Sequence, residues 1–285
     1  MKLATYDAGQ GPRIAIVKGD GLIDIGRAMP SAPATMLGLI ADWDRHAAAL
    51  RRVEAEAAAD QPAAGVRLLA PVPRPGKIMA IGLNYADHIA ESGQKAPERQ
   101  LWFAKMSSSA NGASDDIEIP AATKFVDYEA ELVAIIGKGG RNIAKADAAK
   151  AVFGYCCGND VTARDWQWAT PQWVLGKSFD THAPMGPYIV TADEIADPHN
   201  LGIRCFVNAE KRQESNTGNL VFNLWDQIAH LSQAMTLEPG DAIFTGTPGG
   251  VGMAMKPQAP LKAGDVVRVE IDGLGAIEAK MIAAD

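Results

Sequence analysis

The stretch "KFVDYEAELVAII", residues 124–136, is apolar enough to be a buried strand, yet Asp127, Glu129 and Glu131 interrupt it at every second position. Strand side chains alternate between faces. Val126, Tyr128, Ala130, Leu132, Ala134 and Ile136 therefore share one side, and the three carboxylates share the other with Val133 and Ile135. Glu129 and Glu131 would sit about 6.6 Å apart along such a strand. At that separation and an effective dielectric near 20, they repel by about 2 kcal/mol. An edge strand with one wet face is the commoner source of such a pattern. A cation held between the carboxylates is the other.

The cation reading gains weight from "YCCGNDVTARDWQ", residues 155–167, where Asp160 follows an apolar run at a polar break. Chemistry-bearing residues tend to gather at such strand ends. Two Glu and one Asp make an all-oxygen donor set, which suits Mg²⁺, with Mn²⁺ as the alternative. Zinc would want His or Cys at ligand spacing, and none of the five His has such a partner.

Composition narrows the class. Twenty-eight Gly and seventeen Pro within 285 residues point to many turns and a strand-rich α+β chain. A net charge of −7, without any Lys/Arg-rich run, argues against a nucleic-acid partner. No stretch approaches the roughly 18 apolar residues of a membrane span, and the N-terminus lacks a signal-like apolar run. A cytoplasmic protein is expected. Cys156, Cys157 and Cys205 make an odd count with no C-x-x-C, so they read as buried, reduced thiols.

Residues 2–26 read as short strands, with Gly-Asp-Gly at 19–21 marking a hairpin. A helical pattern runs from Met36 to Ala59, and Pro/Gly-rich text around "VRLLA" (66–70) then suggests a boundary. The division is a small N-terminal domain, 1–70, and a catalytic domain, 71–285. Beyond it, "DAAKAVFGYC" (147–156) reads as a helix, as does "NLWDQIAHLSQAM" (223–235) behind an Asn223 cap. The remainder reads as strands.

Several side chains invite chemistry. In "GLNYADHIAE", residues 82–91, His88 and Glu91 stand three apart and share a helical face. A carboxylate that orients an imidazole makes a general base near neutral pH, although an exposed His/Glu pair is more often plain surface. Lys105, Arg164 and Lys177 are cations set in apolar frames. Arg164 could meet a carboxylate bidentately, and Lys177 could support Asp160 or a developing negative oxygen. "TGTPGGVG", residues 245–252, lacks the features of a nucleotide loop and reads as a turn or a backbone nest beside Thr247.

Glu129-x-Glu131, "NDVTARDWQ", "GKSFDTHAPMGP", "LEPGDAIFTGTPGGVG" and "LKAGDVVRVEIDGLG", in that order, resemble the fumarylacetoacetate hydrolase family. The resemblance covers residues 72–283 and implies a mixed β-roll core, a homodimer and Mg²⁺ on Glu129, Glu131 and Asp160. It also implies that His88 and Glu91 activate water on a lid, with Lys177 beside them. Lys105, Arg164, Gln167 and Thr247 would line a site for a small 2-oxo acid. The segment "DWQWATPQWVLGKSFDTHAPMGP" further resembles a subgroup that hydrolyses 2,4-diketo-3-deoxy sugar acids, such as the L-rhamnonate or L-fuconate derivative, to pyruvate and lactate. The expectation is a hydrolase cleaving the carbon–carbon bond of an acylpyruvate. Oxaloacetate decarboxylation, 2-oxo acid tautomerisation and a ureidoglycolate lyase step are alternatives on the same ligands, and a non-catalytic dimeric binding protein is an alternative of another class.

Overall fold

The structure, a computed structural model, describes residues 1–93, 95 and 97–284. Strand Ala130–Ile136 pairs on both sides, with Val152–Asn159 and with Ala242–Phe244, and all 7 of its residues are buried. It is a central strand, so the edge-strand reading fails. The alternation holds. Val126, Tyr128, Ala130, Leu132, Ala134 and Ile136 enter one apolar core, while Val133 and Ile135 enter a second core on the opposite face. The strand is interrupted, however: Val126–Asp127 pairs with Thr162–Ala163, leaving Tyr128 and Glu129 between the two pieces.

The large sheet runs in the order Gln61–Pro62, Gly21–Asp24, Pro12–Lys18, Lys2–Asp7, Ala183–Thr191, Val152–Asn159, Ala130–Ile136, Ala242–Phe244, Ile78–Gly82, Leu101–Lys105. Strands from residues 1–70 thus continue the sheet that carries the acidic strand, through Lys2 opposite Val190. A second sheet of 5 strands, with Gly202–Val207, Val266–Ile271 and Gly275–Ala283 at its centre, shares the first core. Helix Leu224–Ala234 closes that core with Leu224, Ile228 and Leu231, and the Asn223 carboxamide accepts from Asp226 N at 3.0 Å as an N-cap. Each such fully buried aliphatic side chain contributes about 2 kcal/mol. On the far side, Leu39 and Leu50 of the N-terminal segment belong to the same apolar core as Val133 and Ile135. The acidic strand is therefore walled on both faces, and its carboxylates can meet solvent only through the strand's open end.

The 19–21 turn joins Pro12–Lys18 to Gly21–Asp24, with Gly19 at φ 57°. Three expectations change. The helix expected over Met36–Ala59 is two, Met36–Ala41 and Trp43–Glu56, broken at Asp42 where the chain turns. "DAAKAVFGYC" is a 3₁₀ turn, Lys145–Ala151, followed by strand Val152–Asn159, because Val, Phe, Tyr and two Cys pack better between two cores than on one helix face. "VRLLA" contributes one bridge, Leu68 to Tyr6. The three cysteines are buried and free, and burial pushes their thiols up, Cys157 to about 12. They are not nucleophiles at neutral pH. Among the described residues no helix is long and apolar enough to cross a membrane.

His182 is fully buried, and its Nε2 lies 2.9 Å from the Glu118 carbonyl. A carbonyl only accepts, so Nε2 carries the proton, and Nδ1 has no partner. Burial pulls this imidazole down to about 4, against 6.5 for a free histidine. With a depressed folded pKa, its contribution is present above pH 6.5 and is lost as pH falls towards 4, about 3 kcal/mol in all. His182→Gln, which keeps the donor, is expected to flatten that part of the stability profile. Urea midpoints at pH 7.5 and 4.5 provide the check; an unchanged difference would sink the assignment.

Candidate active site

The open end of the acidic strand gathers carboxylates from two elements. Glu129 lies in the strand break and Glu131 one register step inside it, while Asp160 follows Val152–Asn159, the neighbouring strand. Asp160 N donates to Glu129 O at 2.8 Å, and Asn159 Oδ1 accepts from Glu129 N at 2.9 Å, so backbone pairing fixes the three side chains together. Their carboxylate oxygens lie within 4.8 Å of one another, and all three residues are buried.

Three cations answer this charge. Lys177 Nζ donates to Glu129 Oε2 at 2.7 Å and to Asp160 Oδ2 at 2.6 Å. Lys105 Nζ donates to Asp160 Oδ1 at 2.5 Å and to the carbonyls of Val161 and Lys177. Arg164 donates through Nε and Nη2 to Asp127 Oδ2, at 2.9 and 2.8 Å, and through Nη1 to Glu129 Oε1 at 2.7 Å and Gln167 Oε1 at 3.0 Å. The carboxylate that Arg164 meets is thus the protein's own, with two donors sharing the single oxygen Oδ2. Asp127, whose role the sequence left open, also accepts from Gly252 N at 2.8 Å and Met253 N at 3.0 Å.

Electrostatics separates the three carboxylates. Burial works to raise Glu129, but Lys177 and Arg164 outweigh it and hold the group down at about 2. Glu131 behaves in the opposite way: burial, then the Asp160 and Glu129 charges, push it well above the ordinary carboxylate range. Its hydrogen-bond partner is Gly246 N at 2.7 Å, and among the described residues no lysine or arginine forms an ion pair with it, the Lys177 charge acting only from a distance. Lys177 is raised because Asp160 and Glu129 overcome burial, whereas for Lys105 burial prevails over the same kind of pairing and lowers it. Four carboxylates, Asp127 included, therefore face three cations, with the deficit at Glu131. A hard divalent cation on Glu129, Glu131 and Asp160 fits this deficit and this oxygen donor set.

Helix Ala86–Ser92 brings His88 and Glu91 over the same end. His88 Nδ1 lies 3.0 Å from Glu91 Oε1, and since the carboxylate accepts, Nε2 is left with its lone pair for chemistry. Asn84 anchors the segment before the helix, donating to the carbonyls of Phe222 and Thr245 at 3.0 and 2.7 Å and accepting from Phe222 N at 2.8 Å.

The glycine loop was read as a turn or as a nest for substrate. Its amides are instead taken by protein carboxylates: Gly246 N by Glu131, Gly249 N by Asp87 at 3.3 Å, Gly250 N by Glu91 at 2.8 Å, Gly252 N by Asp127. Gly250 has φ +100°, and a Cβ there would fall 2.0 Å from Arg212 O. Only glycine lets this turn approach so closely. Thr247 Oγ1 accepts from Gln213 Nε2 at 2.8 Å, which leaves the Thr247 hydroxyl proton free to point into the pocket.

The resulting pocket encloses about 430 Å³. Glu129, Glu131, Lys177, His88 and Glu91 form its polar end, and Phe103, Trp168, Trp173 and Met253 line its sides. Trp173 can stand against the sheet because Gly82 has no side chain; a Cβ there would strike the indole at 2.5 Å. Arg164, Gln167 and Thr247 also reach the pocket, as expected. Lys105 does not line it and lies behind Asp160.

Residues 77–282 match the family described as fumarylacetoacetate (FAA) hydrolase C-terminal. The chain belongs to the fumarylacetoacetate hydrolase family. Among similar members of this family is a mitochondrial oxaloacetate tautomerase of Rattus norvegicus, 45% identical over 265 residues, 93% of this chain and 85% of that one. A mitochondrial oxaloacetate tautomerase of Homo sapiens is 42% identical over 288 residues, 99% of this chain and 92% of the other. Two solved structures are alike over the whole of both chains. They are a maleylpyruvate hydrolase from Sphingobium sp. SYK-6 in complex with manganese(II) and pyruvate, at 35% identity and TM-score 0.85, and a fumarylacetoacetate hydrolase from Exiguobacterium antarcticum, at 36% and 0.87.

In this family member two contributors escaped the sequence reading. Gln213 is buried within a strand of charged text, "EKRQESN", and bonds Ala130 N, Thr247 and Pro248 O. Nothing in that text distinguishes it from solvated strand. Asp87 bonds Gly249 N and Ser215 Oγ, and its place one residue before His88 is the one available clue.

Proposed function

We propose that the protein is a divalent-metal-dependent enzyme acting on 2-oxo acids, and that its reaction is the keto–enol tautomerisation of oxaloacetate. The observation that carries the 2-oxo-acid reading is the convergence of the His88–Glu91 pair with Glu129 and Glu131 on one pocket, where Asp160 completes the carboxylate cluster from behind. The choice of tautomerisation over the expected acylpyruvate hydrolysis is supported by the activity of the 42–45% identical relatives.

A divalent ion held by Glu129, Glu131 and Asp160 would supply Lewis acidity towards the 2-oxo group. The chain's own residues do the rest. His88 Nε2, oriented through Nδ1 by Glu91, takes a proton from the carbon next to the 2-oxo group and returns it to oxygen. Lys177 uses two of its three N–H donors on Glu129 and Asp160, and the third stabilises negative charge developing on the 2-oxo oxygen. Phe103, 4.8 Å from the Lys177 ammonium, keeps bulk water from that donor. Hydrolysis of an acylpyruvate is the second reading, favoured by the structural likeness to maleylpyruvate hydrolase, and differs only in that His88 would deprotonate water.

Following the ultraviolet absorbance of enol oxaloacetate with enzyme and Mg²⁺, alongside product masses, separates these outcomes. Faster keto–enol interconversion with no loss of mass supports the tautomerase. Pyruvate plus a carboxylic acid from an acylpyruvate supports the hydrolase, and CO₂ from oxaloacetate supports a decarboxylase. His88→Gln is expected to lower kcat by about 10²- to 10⁴-fold with little change in KM. Undiminished kcat would remove His88 from the chemistry.

A further inference from the structure

Four side chains that are cationic or can become so line the pocket: His88, Arg164, Lys177 and Lys256. Three are matched to protein carboxylates: His88 to Glu91, Arg164 to Asp127 and Glu129, Lys177 to Glu129 and Asp160. Lys256 makes no ion pair or hydrogen bond through its ammonium among the described residues, and it is exposed at the rim. A solvated lysine is ordinary surface by itself. This one stands in a segment pinned from both ends. Asp127 grips Gly252 N and Met253 N, and Ala259 N donates to Gly252 O at 3.0 Å, closing the turn that carries Lys256.

The same Asp127 holds Arg164, so the lysine's position is tied mechanically to the acidic strand. On the lysine's own segment Val251 and Met253 also line the pocket, and both are apolar. We infer that Lys256 is the anion-binding end of this pocket, where it meets the second carboxylate of a dicarboxylic 2-oxo acid. This rests on the 2-oxo-acid reading proposed above and adds to it a specificity-determining residue.

Titration calorimetry of the Mg²⁺-loaded protein with 2-oxoglutarate and with 2-oxopentanoate, which share a five-carbon chain and differ at the far end, tests the subsite. Low ionic strength keeps an exposed charge effective. The wild type is expected to prefer 2-oxoglutarate about tenfold or more. Lys256→Ala should bring the ratio close to one, Lys256→Glu should invert it, and Lys256→Arg should keep it. A wild type without preference, or a Lys256→Ala variant that retains it, overturns the subsite. The reaction reading fails separately: preference lost in Lys256→Ala while the wild type turns over no 2-oxo acid leaves the subsite standing and the tautomerase rejected.

Discussion

Glu131→Gln is expected to weaken divalent-ion binding by more than about 100-fold and to lower turnover by roughly 10³-fold. The same change should not harm the ion-free fold. Burial and the charges of Asp160 and Glu129 raise the Glu131 carboxyl, so its contribution to ion-free stability is fully present below the ordinary carboxylate range. That contribution is lost as pH rises through the raised folded value. Burial disfavours the charged form of this acid in the ion-free wild type, a cost glutamine does not carry, and the variant's Tm should equal or exceed the wild type's. Added Mg²⁺ should raise Tm in the wild type and leave the variant nearly unmoved. A full Mg²⁺-induced shift in Glu131→Gln, read by calorimetry, would remove Glu131 from the metal site.

Lys177→Met should carry the largest cost in stability. The methionine fills much of the same volume, so packing alone predicts little change. Charge predicts otherwise: Glu129 Oε2 and Asp160 Oδ2 would each lose a donor within 2.7 Å in a site where both residues are buried. Removing one partner from a buried ionic cluster costs about 3–5 kcal/mol. Turnover should fall by about 10²- to 10³-fold through loss of the donor aimed at the 2-oxo oxygen. Urea unfolding and kcat on the Mg²⁺-saturated protein test the two effects separately. A variant of wild-type stability would show that the cluster does not depend on this cation.

The faces of the acidic strand, and with them two of the three clustered carboxylates, were legible in the sequence for one physical reason. A period-two pattern inside apolar text states which side chains share a face, and the division of Val126–Ile136 between two cores follows that parity. The same reading could not tell a wet face from a walled one. That depends on Leu39 and Leu50, whose long-range placement no local pattern encodes. Helix periodicity misled at residues 147–156, where small and β-branched residues fit either state and pairing with Ala183–Thr191 decides. Arg164 was legible as a functional cation but not its partner, since Asp127 lies 37 residues away. The choice proposed above, of oxaloacetate chemistry over acylpyruvate hydrolysis, was not legible at all, because one ligand set serves both reactions.

Asp127, wedged between Arg164 and the turn at Gly252 and Met253, gives the pocket two unequal walls. In the wall of four acids and three bases, replacing any one base strands a buried carboxylate, so drift at Lys105, Arg164 or Lys177 must proceed through paired changes. The more exposed lining residues, with Trp168 at 50% exposure and Lys256 exposed, can accept one substitution at a time. An ancestral chain of this kind could therefore acquire new substrates by editing one side of its pocket, while selection held the other side unaltered.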